Sequence, residues 1–387
     1  MTHRSSPRER YGLRTWLELD REAARQNVRA MRGLLTPRTR LMAVVKSNAY
    51  GHGLYVFAKV LDRLGVHGFC VDSVLEGFRL RKEGITKPIL VLGSTLPEHF
   101  GAAAESRITL TLSTFEGVKA YLRTARKPEV HLKIDTGMHR QGFFPTDARR
   151  AAELLRRRNV RDGVTGLYTH FASAKDITYP AYTERQFEKF LEAERALQRA
   201  GFRNLVRHAS ATAGTMLGHR YHLDWVRSGI ALYGYYPSRE LEVQLRRPGG
   251  GRSPDRTASG LPSVELKPVL SWHAIVTEVK RLPAGAFVGY DLTERLERPT
   301  AAAVLPIGYW HGIPRILSGT GRFILGRVPA RILGRVSMDM TVIDATDARV
   351  KVGSVATLDI KDAIAKSGTT SYEFLTRINP LIERVVV

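Results

Sequence analysis

Eight short apolar runs alternate with helix-compatible stretches between residue 41 and about residue 235. The runs cover residues 41–46, 68–73, 88–93, 108–113, 129–135, 164–171, 204–210 and 225–233. Their content of Val, Ile and Leu is typical of parallel strands that are buried on both faces. Between the runs, apolar residues recur at three-to-four spacing, as at Leu54, Phe57 and Leu61. The alternation predicts an α/β fold whose N-terminal part, residues 1–237, is a (β/α)8 barrel.

The character of the sequence changes after the last of these runs. Residues 238–262 are basic and rich in Gly, Pro and Ser, which predicts a flexible connection. From residue 263 to 387, strand-like runs lie between short turns without convincing helices, so we expect a C-terminal all-β domain. A further strand near residues 14–19 precedes the barrel, and we expect it to pair with the C-terminal domain.

The chain carries 60 basic and 37 acidic residues, a formal net charge of +23. A field of this sign attracts nucleic acid, acidic membranes or anionic ligands. The basic residues are dispersed, however, and no nucleic-acid-binding motif accompanies them. We therefore interpret the charge as a solvated surface and expect no specific nucleic-acid partner.

Several other classes of protein are disfavoured by simple features. The single cysteine, Cys70, excludes an intrachain disulfide. No run of about 18 apolar residues could span a membrane, and the first residues lack the apolar stretch of a signal peptide. The histidines show no recognisable metal-ligand spacing. We expect a cytoplasmic protein with no membrane contact and no metal.

In (β/α)8 barrels the chemistry lies at the C-terminal ends of the strands. Lys46 ends the first predicted barrel strand, and Lys133 to Arg140 lie at the end of the fifth. His170 closes the sixth strand, His208 and Ser210 close the seventh, and Arg227 interrupts the eighth. Each alone is more often a structural group than a functional one, but together they share one rim. A desolvated lysine near other cations can form a Schiff base. The segment Arg-Ser-Gly-Ile (227–230) lies where barrels commonly bind phosphate, and its glycine allows backbone N–H groups to approach an anion. A lysine beside a phosphate site indicates pyridoxal 5′-phosphate.

The segment AVVKSNAYGHG (43–53) closely resembles the lysine motif of the alanine racemase family, fold-type III enzymes that use pyridoxal 5′-phosphate. Further motifs of that family follow in order: LKIDTGMHRQGF (132–143), YTHFA (168–172), VRSGIALYG (226–234), LKPVLS (266–271), VGY (288–290), PIGY (306–309) and GRVSMDM (334–340). The resemblance covers nearly the whole chain except the segment near 238–262.

The resemblance implies that the chain racemises L- and D-alanine by a two-base mechanism, supplying D-alanine for peptidoglycan. Lys46 would bind the cofactor and act as one acid/base, and Tyr290 would act on the opposite face of the substrate α-carbon. Because tyrosine has an unperturbed pKa near 10, its surroundings must activate it. In the family this tyrosine comes from the partner subunit, which implies a head-to-tail homodimer with shared active sites.

The resemblance also implies roles for residues around the cofactor and the substrate. The implied cofactor-binding residues are Lys46, Tyr50, His170, Thr212, Arg227, Gly229 and Ile230. Arg227 would face the pyridine nitrogen, and because a guanidinium does not readily give up its proton, the ring would withdraw less charge. Arg140 and the backbone of Met338 would bind the substrate carboxylate. Lys133, modified to a carbamate, would hold Arg140 in place.

The chain departs from the family pattern at several positions. The departures are Asp291 for a glycine after the catalytic tyrosine, His311 for an acid, Lys175 for an entry-channel aspartate, Thr212 for a serine and Pro380 for a tyrosine. Two channel arginines, Arg315 and Arg335, are kept. The two acids lost at His311 and Lys175, together with the two kept arginines, predict a more cationic entrance. Such an entrance would capture amino-acid carboxylates faster or tolerate substrates with acidic side chains. The change at Pro380 leaves the pocket size open, so serine and larger substrates remain alternatives.

Two other interpretations compete with a racemase. A fold-type III decarboxylase of diamino acids would pair the ring nitrogen with an acid, where this chain has Arg227. A basic nucleic-acid-binding protein on a racemase-like scaffold would have no use for Lys46, Tyr290, Arg140 and Arg227 together. Both are therefore disfavoured.

Overall fold

The computed structural model describes residues 12–157, 163–176, 180–246 and 263–387. The chain divides into two compact units. The barrel unit comprises Glu22–Ala49 and Phe57–Pro268. The C-terminal unit comprises the residues up to Arg21, Tyr50–Val56 and Val269–Val387. It therefore includes strand β1 (Thr15–Leu19), the first described element of the chain.

In the described part of the barrel unit, eight parallel strands form two sets of four. They are β2 (Arg40–Val44), β3 (Gly68–Val71), β4 (Ile89–Val91), β5 (Leu110–Leu112), β6 (Val130–Lys133), β7 (Val164–Tyr168), β8 (Val206–His208) and β9 (Trp225–Ser228). The pairing orders are β4-β3-β2-β9 and β5-β6-β7-β8. Isolated parallel bridges from Leu90 to Thr109 and from Ala211 to Arg227 join the two sets into a ring. The predicted barrel is confirmed.

The barrel strands are apolar because they are covered on both sides. Every residue of β3, β6 and β9 is buried, as expected where helices cover one face and side chains fill the interior. Cys70 in β3 is fully buried, and desolvation raises the pKa of its thiol to about 12. Two charged residues, Lys133 in β6 and Arg227 in β9, are also buried at 6% and 2% exposure.

Helices follow most of the strands. They are α1 (Arg21–Gly33), α2 (Leu54–Arg63), α3 (Val74–Lys82), α4 (Phe100–Glu105), α5 (Phe115–Arg123), α6 (Pro145–Arg157), α7 (Pro180–Arg199), α8 (Thr212–Leu217) and α9 (Arg239–Leu245). Helix α9 lies in the predicted flexible connection and is capped by Ser238; residues 247–262 of that connection lie outside the described residues. Within the described ranges, no helix has the length and apolar character needed to cross a bilayer.

The C-terminal unit is built on one large sheet. Its strands after β1 are β10 (Leu270–Ile275), β11 (Glu278–Leu282), β12 (Phe287–Val288), β13 (Glu294–Arg295), β14 (Thr300–Leu305), β15 (Arg322–Leu325), β16 (Val328–Leu333), β17 (Thr341–Asp344), β18 (Val355–Leu358) and β19 (Glu383–Val386). The sheet order is β11-β14-β17-β16-β15-β18-β10-β1-β19. Strand β1 runs antiparallel to β10 and parallel to β19. Strands β12 and β13 form a separate hairpin.

The expected strand-rich C-terminal domain is confirmed, with an addition. Two short helices, α10 (Ile360–Ser367) and α11 (Ser371–Thr376), precede β19. Asp359 caps the first and Thr370 the second by accepting hydrogen bonds from backbone N–H groups. Asp and Thr are common N-cap residues, so the sequence does contain a signal for the start of each helix. The helices are too short, however, for their apolar residues to show a clear helical periodicity.

Candidate active site

The chain after β2 turns in a left-handed conformation. Lys46 follows the strand, and the next four residues, 47–50, have φ angles between 50° and 55°. Residues with side chains rarely adopt positive φ, so four in succession must be held by outside contacts. The Ala49 N–H donates to the carbonyl oxygen of Val45 at 2.9 Å. The strand therefore ends before Lys46, and the side chain of this lysine is 37% exposed.

The carboxylate of Glu76, in the first turn of α3, holds this left-handed turn. Its Oε1 accepts a hydrogen bond from the Ser47 N–H at 2.7 Å. Its Oε2 accepts from the N–H groups of Asp72 at 2.8 Å and Ser73 at 3.4 Å. One side chain thus ties the loop after β2 to the loop after β3.

Asp72 supplies a negative charge beside the rim lysine. Its Oδ1 lies 3.4 Å from Nζ of Lys46. The Asp72 side chain is 59% exposed, so solvent screens this pair and it contributes little to folding stability.

The guanidinium of Arg227 is buried in the barrel. It donates to the carbonyl oxygens of Thr169, Ala209 and His208 at 2.8, 2.9 and 3.1 Å. Its Nη1 lies 2.6 Å from Nδ1 of His208, and its Nη2 lies 3.4 Å from Nδ1 of His170. Burial lowers the pKa of Arg227 from its high ordinary value, and these acceptors compensate the buried charge.

Two further buried side chains, those of His131 and Tyr168, contact the ring of His208. Its Nε2 lies 2.8 Å from Nδ1 of His131, and the Tyr168 ring stacks on it with centroids 4.7 Å apart. Desolvation, reinforced by the charge of Arg227, lowers the pKa of His131 to about 3 and holds the pKa of His208 well below its usual value. Both imidazoles are therefore neutral at physiological pH.

Lys133, Arg140 and His170 line one small pocket together with Gln141. The Lys133 amine donates to Oε1 of Gln141 at 2.7 Å. Burial, followed by the positive charges of Arg140 and other site cations, lowers the pKa of Lys133 to about 8. Burial, with Arg227 the largest charge effect, also lowers the pKa of His170 well below its usual value. Lys133 and Arg140 bring positive charge to this pocket, and Asp135, which also lines it, brings one negative charge.

The loop after β9 offers donors to an anion. The Thr212 hydroxyl accepts a hydrogen bond from the Gly229 N–H at 3.0 Å, so the Gly229 N–H is engaged within the chain while the hydroxyl proton can still be donated. Ile230 begins a 3-10 helix, Ile230–Tyr233. Its N–H therefore has no acceptor within that helix.

Three predicted site residues, Tyr50, Tyr290 and Met338, belong to the C-terminal unit, and the others to the barrel unit. Tyr290 begins a short 3-10 turn and is 67% exposed. Met338 is 53% exposed. Tyr50 is buried, and its ring centroid lies 5.9 Å from that of Tyr372.

Asp291, which departs from the family pattern, and the two kept arginines have partners within the C-terminal unit. Nε of Arg335 and Oδ2 of Asp291 lie 2.7 Å apart. The charge of Arg335 is therefore compensated, which argues against the predicted cationic entrance at this position. The Arg315 guanidinium lies over the Tyr309 ring, 6.0 Å from its centroid.

Several residues of this site were not predicted. They are Asp72, Glu76, His131 and Gln141. The pattern Ser73-x-x-Glu76 is a capping-box signal that could have indicated Glu76. His131 and Lys133 are two residues apart on β6 and so share a face, but the contact of His131 with His208 joins β6 to β8 across the intervening strand β7.

Comparison with known proteins gives consistent matches over the whole chain. Family models described as alanine racemase, N-terminal domain, and alanine racemase, C-terminal domain, match residues 19–237 and 269–386. An alanine racemase of Leptospira interrogans is 33% identical over 395 residues, covering 99% of this chain and 98% of the relative.

Solved structures agree with these matches. The alanine racemase from D-cycloserine-producing Streptomyces lavendulae superposes with a TM-score of 0.84 at 30% identity, covering 99% of this chain and 98% of the other. The alanine racemase from Bacillus anthracis, solved with bound L-Ala-P, superposes with a TM-score of 0.84 at 29% identity, covering 97% and 95%.

Proposed function

The chain belongs to the alanine racemase family, and from that premise we propose that it interconverts L- and D-alanine with pyridoxal 5′-phosphate as its cofactor. One observation carries the proposal: Lys46 and the buried Arg227 come from the ends of adjacent strands. Strands β2 and β9 pair in parallel with Met42 opposite Arg227, so the amine and the guanidinium belong to the same rim.

The donor chemistry of the barrel unit fits this cofactor. The primary amine of Lys46 suits its aldehyde carbon, and the hydroxyl of Thr212 and the N–H of Ile230 suit its phosphate. Arg227 suits an unprotonated pyridine nitrogen, because a guanidinium donates hydrogen bonds and accepts none. When bound, the cofactor supplies an electron-accepting ring that stabilises negative charge at the substrate α-carbon.

Lys46 and Tyr290 move the protons in this proposal. Racemisation requires that a proton leave one face of the α-carbon and that another arrive on the opposite face. The Lys46 amine acts on one face and the Tyr290 hydroxyl on the other, each as the base for one enantiomer and the acid for the other.

Arg227 favours racemisation over the competing decarboxylase. It keeps its own proton, so the ring nitrogen receives a hydrogen bond without becoming protonated. The described partners of the guanidinium are carbonyl oxygens and imidazole nitrogens. A diamino-acid decarboxylase would need a carboxylic acid at this place.

Arg140 binds the substrate carboxylate, with the backbone of Met338 assisting. A carbamate on Lys133 would give Arg140 a negatively charged partner inside the pocket. The lowered pKa of Lys133 supports this modification, because only a neutral amine reacts with CO2.

The active unit is a head-to-tail homodimer in which a second copy supplies Tyr290 and Met338. The exposure of apolar side chains on the C-terminal unit supports such an interface. These side chains are Tyr290, Leu292, Trp310, Ile316 and Met338, with exposures between 50% and 67%. We place this activity in the cytoplasm, where its D-alanine would supply peptidoglycan synthesis.

The test is an absorption spectrum of the purified protein, followed by incubation with L-alanine in D2O and chiral analysis. We expect visible absorbance from the lysine-bound cofactor, its loss in Lys46→Ala, and α-deuterium in both enantiomers of alanine. A protein that stays colourless after reconstitution with pyridoxal 5′-phosphate, and exchanges no α-proton, would refute the proposal.

A further inference from the structure

The turn that carries Tyr290 has an unusual backbone. Gly289, Asp291 and Leu292 have φ angles of 78°, 63° and 50°. Glycine accepts such angles freely, but Asp291 and Leu292 have side chains that disfavour them. The conformation therefore depends on contacts from outside the turn, and those contacts determine where Tyr290 lies. We call residues 289–294 the Tyr290 turn.

Two carboxylates of the Tyr290 turn bind the same neighbouring segment. Glu294, at its end, accepts two hydrogen bonds from the Arg331 guanidinium at 2.7 and 3.0 Å and one from the Gly334 N–H at 3.4 Å. Asp291, next to the tyrosine, places Oδ2 2.7 Å from Nε of Arg335. Residues 331–335 thus hold the turn at two points, next to the tyrosine and at its C-terminal end.

The segment that carries Arg335 is itself fixed. The carbonyl oxygen of Gly334 accepts from the Gly319 N–H at 3.1 Å, and the Val336 N–H donates to Oγ of Ser318 at 3.1 Å. These bonds immobilise the backbone on both sides of Arg335. The backbone that carries Arg335 is therefore held in place, and the guanidinium reaches Asp291 from it.

The two ion pairs differ in what they contribute. The Glu294 side chain is only 14% exposed and its pair is bidentate, which suits a structural role. The Asp291 and Arg335 side chains are 61% and 39% exposed, and their contact is short but poorly aligned for a hydrogen bond. Solvent-exposed pairs of this kind add little to folding stability, so the fold should survive their loss.

We propose that Asp291 is a positioning residue for Tyr290. Its ion pair with Arg335 holds the left-handed backbone next to the tyrosine and so fixes the direction of the phenol. The proposal rests on the proposed racemase function, in which Tyr290 exchanges a proton with the substrate. Neither Asp291 nor Arg335 touches the reacting atoms in this role.

The first experiment compares Asp291→Asn with Asp347→Asn in the reconstituted holoenzyme. Asp347 is a matched control, because it is an exposed acid of the C-terminal unit whose carboxylate lies 3.2 Å from Arg298. We expect Asp291→Asn to lower kcat about ten- to hundredfold with little change in KM for alanine, since small misplacements of a reacting group have effects of this size. Asp347→Asn should have the same kcat and KM as the wild-type protein. Both variants should unfold at the same temperature as the wild-type protein.

A second measurement separates positioning from a general loss of activity. Tyr290 removes the α-proton from only one enantiomer. The primary isotope effect of α-deuterated alanine on kcat/KM should therefore rise for that enantiomer in Asp291→Asn. It should fall for the other enantiomer, because proton delivery by Tyr290 then limits the rate more than removal of the α-proton does. Asp291→Glu should restore part of kcat, and Arg335→Gln combined with Asp291→Asn should be no worse than either change alone.

A third measurement needs no cofactor. Backbone amide hydrogen exchange across residues 287–295 should be faster in Asp291→Asn than in the unchanged protein or in Asp347→Asn. Asp291→Gly isolates the ion pair from the backbone strain, because glycine keeps the positive φ but loses the carboxylate. It should behave as Asp291→Asn does.

The outcomes are distinct. A kcat for Asp291→Gly and Asp291→Asn equal to that of Asp347→Asn, or isotope effects that change equally for both enantiomers, would overturn the positioning role. An unchanged protein that racemises no alanine would instead overturn the proposed function.

Discussion

Nη1 of Arg227 and Nδ1 of His208 lie 2.6 Å apart inside the barrel. A guanidinium can only donate, so Nδ1 of His208 must be the acceptor and the proton of that ring sits on Nε2. The Nε2–H then donates to Nδ1 of His131 at 2.8 Å, which places the proton of His131 on its own Nε2. One arginine thus fixes the tautomers of two buried histidines in succession.

This chain of neutral imidazoles predicts acid lability. The pKa of His131 in the folded protein is about 3, against 6.5 for an ordinary histidine. Below pH 6.5 the unfolded chain binds a proton that the folded chain refuses, so stability is lost as pH falls from about 6.5 towards 3. Each such histidine adds a slope of about 1.4 kcal/mol per pH unit to the free energy of unfolding. Denaturant titrations from pH 7 to 4 measure the slope.

His131→Phe tests the assignment within the same titration. At pH 7 it should cost roughly 1–3 kcal/mol, because Nε2–H of His208 loses its acceptor. Below pH 6.5, the free energy of unfolding of this variant should fall less steeply with pH than that of the wild-type protein. The difference in slope should equal the contribution of one histidine. His139→Gln is the control, since His139 is exposed. Identical slopes in all three proteins would contradict the assignment.

We expect the amine of Lys133 to react with CO2 to form a carbamate, and we expect no such modification of a surface lysine. With a pKa of about 8, roughly half of its amine is neutral at pH 8, about a hundredfold more than for an ordinary lysine. A peptide map under bicarbonate should show the mass of one CO2 on Lys133 and none on the exposed Lys119. Lys133→Gln should raise KM for alanine more than it lowers kcat, because Arg140 loses its partner. A peptide of unmodified mass in freshly prepared protein would remove the carbamate from the proposal.

Glu76 should matter both to stability and to catalysis. Glu76→Ala removes the acceptor of three backbone N–H groups, including that of Ser47 beside the rim lysine. We expect a loss of about 1–3 kcal/mol in the free energy of unfolding and weaker cofactor retention, read from the visible absorbance after dialysis. Glu116→Ala is the matched control, an acid in the first turn of α5. Equal retention in both variants would show that the left-handed turn does not need Glu76.

Two glycines with nearly the same backbone angle should differ sharply when replaced by alanine. Gly234 and Gly84 have φ angles of 90° and 88°. A Cβ at Gly234 would lie 1.8 Å from the carbonyl oxygen of Lys267, whereas a Cβ at Gly84 meets no described atom within 4 Å. Gly84→Ala should cost about 1–2 kcal/mol from the left-handed angle alone, and Gly234→Ala more than about 4 kcal/mol. Thermal unfolding measures both, and similar midpoints would disprove the close approach.

The barrel could be predicted because its signal is local and repeated. Each predicted run overlaps an observed strand, and every run except 41–46, whose strand begins at Arg40, contains the whole strand and extends beyond it. The run 164–171 contains β7, Val164–Tyr168, because apolar and aromatic residues continue past the last ladder hydrogen bond into the rim. Periodicity reports burial and does not mark where pairing stops.

The details of the site could be predicted only in part. Lys46 and Arg227 could be found from motif and strand position. The left-handed turn after Lys46 could not, because it depends on Glu76, a residue 30 positions away that lies on another element. The pairing of Asp291 with Arg335 was missed for the same reason, since it joins two turns that are separated in sequence.

The buried thiol of Cys70 gives this protein an internal reporter. A chain with one cysteine yields a single labelling reaction, and a thiol with a pKa of about 12 that is shielded within β3 is unreactive until the barrel opens around it. The rate at which an alkylating reagent modifies the folded protein would therefore measure how often β3 opens enough to expose Cys70. Comparing that rate with the rate of global unfolding would show whether β3 is exposed by local opening or only by global unfolding of the barrel.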